Sequence, residues 1–130
     1  MKPSAMRGDP SRWIAPAVAA CLRDADRSPK YRGHKNPMTG QCYVASEAVY
    51  HLAGGKRAGL KPMHVRHEGE PHWFLQKANG EIVDVTASQF RTPVPYELAK
   101  GKGFLTKKPS KRAKAVIERT KRFSQARRTR

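Results

Sequence analysis

The sequence predicts an α+β domain. Three observations point there. Apolar residues recur at three- and four-residue spacing in two segments before residue 54, three short runs rich in β-branched and aromatic residues lie between 62 and 86, and a basic C-terminal stretch again carries a thin helical stripe. The expected architecture is an N-terminal helix and a second helix packed on an antiparallel sheet of three or more strands, followed by a basic helix or tail. With 130 residues, 38% of them hydrophobic, the chain has room for one small compact domain. Residues 11–100 read as that core and 101–130 as the basic tail.

The first helix is expected over 11–27, with Ser11 as N-cap and Ile14, Val18, Cys21, Leu22 and Ala25 as the apolar stripe. Pro16 is tolerated there only if the helix starts close to it. Residues 28–40 form a loop marked by Pro29, Gly33, Pro37 and Gly40. The second helix spans about 40–53, with Thr39 as N-cap, Cys42 in the first turn, and Ala45, Ala48, Val49 and Leu52 on one face. Gly54-Gly55 ends it.

Strands follow at 62–67, 72–77 and 81–86, with turns at 68–71 and 78–80. The second hairpin fixes its own register. A three-residue loop pairs Lys77 with Glu81 and puts Trp73, Leu75, Val83 and Val85 on one wholly apolar face. His72, Phe74, Ile82 and Asp84 then share the other, whereas a two-residue loop mixes both faces. The favoured register sets His72 and Asp84 diagonally across neighbouring strands. Residues 93–98 (PVPYEL) read as extended, and 109–123 as a basic helix with Ala113, Val116, Ile117 and Thr120 as its stripe.

Charge is uneven. Residues 1–100 carry 15 Lys and Arg against 9 Asp and Glu, a net of +6, while residues 101–130 carry 12 against 1, a net of +11. A basic segment attracts polyanions through counterion release, so nucleic acid or an acidic protein surface is a candidate partner. Lys107, Lys108, Lys111, Arg112, Lys114, Arg119, Lys121 and Arg122 are the residues that would carry such binding. The N-terminus shows no apolar signal-peptide run, and no stretch approaches the length of a membrane helix, so the expectation is a cytoplasmic protein with no membrane partner. Two cysteines outside any CxxC pair argue against a disulfide framework. No ATP-binding loop, dinucleotide fingerprint or EF-hand loop is present, so no cofactor is expected.

The residues that could carry chemistry are Cys42 at a helix start, His72 at a strand start and Asp84 on the next strand. A helix N-terminus and a neighbouring imidazolium both lower a thiol pKa. Histidine is the natural base for a thiol, and a carboxylate on its second nitrogen fixes tautomer and orientation. The backbone N–H of Cys42 is placed to serve an oxyanion. A zinc site from Cys42, His64, His67 and His72 is the competing arrangement, but His64 and His67 have opposite strand parity.

The string GQCYVASEAV, together with HWFL, a short turn and IVDVT, resembles the transglutaminase-like branch of the papain-like cysteine enzymes, in small single-domain bacterial or phage form. The likeness covers roughly residues 38–90. It implies a papain-like core, with Cys42 as nucleophile, His72 as base and Asp84 as orienter. The implied activity is acyl transfer from a protein or peptide amide through a thioester, as a protease, amidase, deamidase or transglutaminase. Tyr43 stands where that family usually has tryptophan, and the chain has no room for accessory domains. For the oxyanion side chain the resemblance offers Asn36, at the offset of the papain glutamine, or Trp13, as the upstream tryptophan; Gln41 is either a substrate contact or a first-turn helix residue. The alternative is a non-catalytic module that binds nucleic acid or a partner through the basic C-terminal segment.

Overall fold

The computed structural model describes residues 9–128. Helix α1 runs over Ser11–Cys21, α2 over Cys42–Ala53 and α3 over Lys111–Arg128. Strands β1 (Lys61–His67), β2 (Glu70–Gln76), β3 (Ile82–Val83) and β4 (Lys100–Gly101) form one antiparallel sheet in the order β3-β2-β1-β4. The protein is α+β.

The sheet is buried on both faces, each for its own reason. Leu75, Val83 and Val85 meet Ile14 and Val18 of α1, Val44, Ala48 and Val49 of α2, and Ala113, Val116 and Ile117 of α3. The expected stripe of the basic helix therefore lies inside the main core. On the other face Met63, Val65 and Phe74 are covered by Val94, Phe90 and Tyr96, from the irregular segment after β3.

The β2–β3 hairpin adopts the register expected from parity. Leu75 faces Val83, and the Lys77 N–H donates to the Glu81 carbonyl at 2.8 Å, leaving residues 78–80 as the loop with Gly80 at φ 91°. The β1–β2 turn is tighter than expected. It consists of Glu68 and Gly69 alone, both with positive φ (51° and 78°), so Glu70 and Pro71 belong to β2.

Boundaries differ where side chains take over from the helix pattern. Helix α1 ends at Cys21 rather than 27, because Leu22 turns extended and the Asp26 carboxylate takes the Arg23 N–H at 2.7 Å. Its N-cap is Pro10, and Asp9 accepts from both Ser11 N–H and Ser11 Oγ, so Ser11 is inside the helix and not its cap. At α2 the N-cap position belongs to Gln41, not Thr39. Strand β3 stops at Val83 instead of 86, since the chain turns at Asp84, whose Oδ1 accepts the Thr86 N–H at 3.3 Å. Helix α3 begins with Ser110 capping Ala113 N–H at 3.2 Å. Ser110 is in turn gripped by Glu47, a fully buried residue of α2 that accepts its N–H at 3.0 Å and its hydroxyl at 2.6 Å.

Candidate active site

The site lies where the start of α2 meets the open end of β2. Gly40 makes this approach possible. Its φ is 79°, and any Cβ there would run into the Tyr31 ring, so the residue two before Cys42 is constrained twice over. Arg27 shapes the preceding loop from inside, donating to the carbonyls of His34 at 3.1 Å and Asn36 at 2.7 Å. That loop forms one wall of a cavity of about 470 Å³, whose lining includes Tyr31, Cys42, Tyr43, Trp73, Gln89 and Phe90.

Cys42 sits in the first turn of α2, and its thiol donates to the Pro71 carbonyl at 3.9 Å. The backbone N–H groups of Trp73, Tyr43 and Cys42 lie around the sulfur and favour its thiolate form. These partners are available for a geometric reason. Alternate residues of β2 point their backbone groups towards β3, and β3 ends opposite Leu75, so Pro71 and Trp73, paired with Arg66 and His64 of β1 on one side, have no strand partner on the other. The sulfur thus lies against the backbone on either side of His72. Burial pushes the thiol up to about 11, although the N–H groups around it pull the other way. The expectation of a lowered pKa from the helix start is overturned: desolvation outweighs it, and Cys42 rests as a neutral thiol.

His72 and Asp84 are brought together. Nε2 of His72 and Oδ2 of Asp84 are 2.7 Å apart, with side chains 0% and 4% exposed. The carboxylate can only accept, so Nε2 carries a proton, which in the neutral imidazole leaves Nδ1 its lone pair. The same Oδ2 accepts the Tyr96 hydroxyl at 2.8 Å. Burial and the Asp84 charge hold that hydroxyl protonated, well above the ordinary tyrosine range. Nδ1 faces the Gln89 carboxamide, with Nε2 of Gln89 at 3.2 Å.

The other candidates go elsewhere. Gln41 is buried and donates to the Arg23 carbonyl at 2.9 Å, tying the α2 start to the segment after α1. Asn36 closes its own turn by accepting Met38 N–H at 2.9 Å, and donates to the Ser88 carbonyl at 3.2 Å. Trp13 is 54% exposed and borders a different groove with Phe123 and Ser124. The zinc arrangement does not form: His64 lies edge-on to Trp73, His67 bonds to Thr92, and among the described residues no three His, Cys, Asp or Glu side chains converge as ligands.

Of the basic residues, Arg119 is committed to Asp26 at 2.8 Å and to the Cys21 carbonyl, and Arg112 reaches the Arg27 carbonyl at 3.3 Å. Lys107, Lys108, Lys111, Lys114, Lys121 and Arg122 stay exposed, with Lys121 beside Glu118 at 3.7 Å.

The family described as YunG protein matches residues 18–128, most of the chain. The chain belongs to the YunG protein family. The match runs from α1 through α3, so in this YunG-family protein the catalytic candidates and the basic helix fall in one family domain. No curated protein and no solved structure matches the chain.

Sequence reasoning missed Gln89, Tyr96 and Tyr31. Parity held a signal for the first two: a sheet face carrying Phe74 and Ile82 beside a His–Asp pair must be covered, and only the chain after Asp84 is near enough to cover it.

Proposed function

We propose that this protein is a cysteine-dependent acyl-transfer enzyme acting on protein or peptide amides, built on a papain-like core of the transglutaminase-like kind. The observation that carries the reading is the buried His72–Asp84 pair, held in one tautomer beside a cavity that presents the Cys42 thiol.

In this mechanism His72 Nδ1 takes the proton of Cys42 as Sγ attacks the amide carbonyl carbon. The first-turn N–H groups of α2 are the candidate donors to the resulting oxyanion. Collapse breaks the C–N bond, His72 gives its proton to the departing amine, and a thioester remains on Cys42. Water then regenerates the thiol with release of a carboxylic acid, or an acceptor amine does so with formation of a new amide. Because the resting thiol is neutral, deprotonation and attack are coupled, and Asp84 matters by stabilising the imidazolium formed at that moment.

The test uses the full chain with carboxamide-bearing peptides, following ammonia release and incorporation of a mass-labelled amine. Turnover should vanish in Cys42→Ala. In Asp84→Asn it should fall by about 10⁴, the cost of presenting the wrong tautomer. Turnover that survives Cys42→Ala, or none in the wild type, sinks the reading.

A second reading, binding of a polyanion, is favoured by the exposed lysines at 107, 108, 111 and 114. It uses a surface remote in chemistry from the thiol and is compatible with the first.

A further inference from the structure

Both ring nitrogens of His72 are occupied. Nε2 donates to Asp84, and Nδ1, the nitrogen that must accept the Cys42 proton, is capped by Gln89 at 3.2 Å. Gln89 is not needed to orient the ring. Asp84 already anchors it, Phe74 stacks with it at a centroid distance of 6.0 Å, and Phe90 meets it edge-on at 4.8 Å. Gln89, not His72, contributes to the cavity wall shared with Cys42, and His72 itself is fully buried. The side chain therefore stands between the base and the space where substrate would lie. It is carried on a single turn, Ala87–Gln89, held by the Gln89 N–H on the Thr86 carbonyl at 3.0 Å.

We propose that Gln89 is a self-blocking residue of this site: its carboxamide caps His72 Nδ1 at rest, and an amide entering the cavity must displace it before His72 can act on Cys42. Once Gln89 is displaced, the Cys42 thiol becomes the donor to Nδ1, so the exchange leaves no buried acceptor unpaired. The proposal rests on the acyl-transfer reading for its purpose, but its geometry is tested separately.

The experiment compares wild type with Gln89→Met, which keeps side-chain length and apolar bulk while removing the N–H. Alkylation of Cys42 by iodoacetamide at neutral pH should rise by about fivefold, the worth of one neutral hydrogen bond. That gain should disappear when His72→Gln is added. In the single variant, ¹⁵N NMR should show the His72 Nδ1 resonance moving towards that of an unbonded acceptor nitrogen. An unchanged or slower alkylation in Gln89→Met overturns the proposal, as does a gain that persists with His72→Gln or an unmoved Nδ1 resonance. The two readings separate cleanly. Faster His72-dependent alkylation without amide turnover in any variant retains the block and removes the enzyme. Turnover that needs Cys42 but slows in Gln89→Met retains the enzyme and removes the block.

Discussion

Cys42 shows how a residue's environment can reverse what its position in the chain implies. A helix start favours a thiolate, but the sulfur is walled in by Pro71, Trp73 and the first turn of α2, and burial lifts its pKa to about 11. That has a consequence for stability. Below pH 9 the thiol is protonated in both folded and unfolded chains. Between about pH 9 and 11 the unfolded thiol ionises while the folded one does not, so the unfolded state gains and stability falls as pH rises. Across that window the loss amounts to about 2–3 kcal/mol. Cys42→Ser has no such titration. Urea melts of both proteins from pH 7 to 11 should show the wild type losing this much relative to the variant, and parallel curves would refute the buried thiol. The Gly-Gln-Cys string is clarified at the same scale. Gly40 answers to backbone and to Tyr31, Gln41 to the Arg23 carbonyl, and Cys42 is the one reactive side chain of the three that faces the cavity.

Among the elements, α2 and α3 depend on one buried carboxylate. Glu47 lies in the core face of α2 and closes the N-terminus of α3 through Ser110, uniting two elements 63 residues apart. Truncation in Glu47→Ala should cost about 1.5–3 kcal/mol, the range for hydrogen bonds to a charged group. In Glu47→Gln the carboxamide can still accept from Ser110 N–H and donate to its hydroxyl, so that variant should lose less than half as much. Equal losses in denaturant melts would mean that Glu47 acts through packing or charge alone. This pairing also marks the limit of what the sequence discloses. The helix stripes, the Gly54 stop and the β2–β3 register were legible because each follows from local periodicity or sheet parity. The His72–Asp84 pair was legible because it follows from that register. Glu47–Ser110, Tyr96–Asp84 and Gln89–His72 are not written in any period. They depend on how irregular segments fold back over a face, and strand and helix patterns leave those segments unspecified.

For the whole molecule, the question is what a formal charge of +17 is for. Removing residues 101–130 cannot answer it, because Ala113, Val116 and Ile117 are core residues and their loss would unfold the domain. The basic residues also divide into two kinds. Arg119 is held by Asp26 and Arg112 by the Arg27 carbonyl, so both serve α3 docking, while Lys107, Lys108 and Lys114 face solvent. Replacing those three lysines with glutamate leaves the buried face of α3 untouched, and helix content and melting temperature should remain close to wild type. Binding of a fluorescent single-stranded oligonucleotide should weaken, and the slope of log K against log salt should shrink by about 2, from roughly 0.7 per lost phosphate contact. Amide turnover on uncharged peptides should not change, since the cavity wall contains none of these residues. An unaltered salt slope would assign the charge to solubility, whereas loss of turnover together with binding would mean that the basic face delivers the substrate to Cys42.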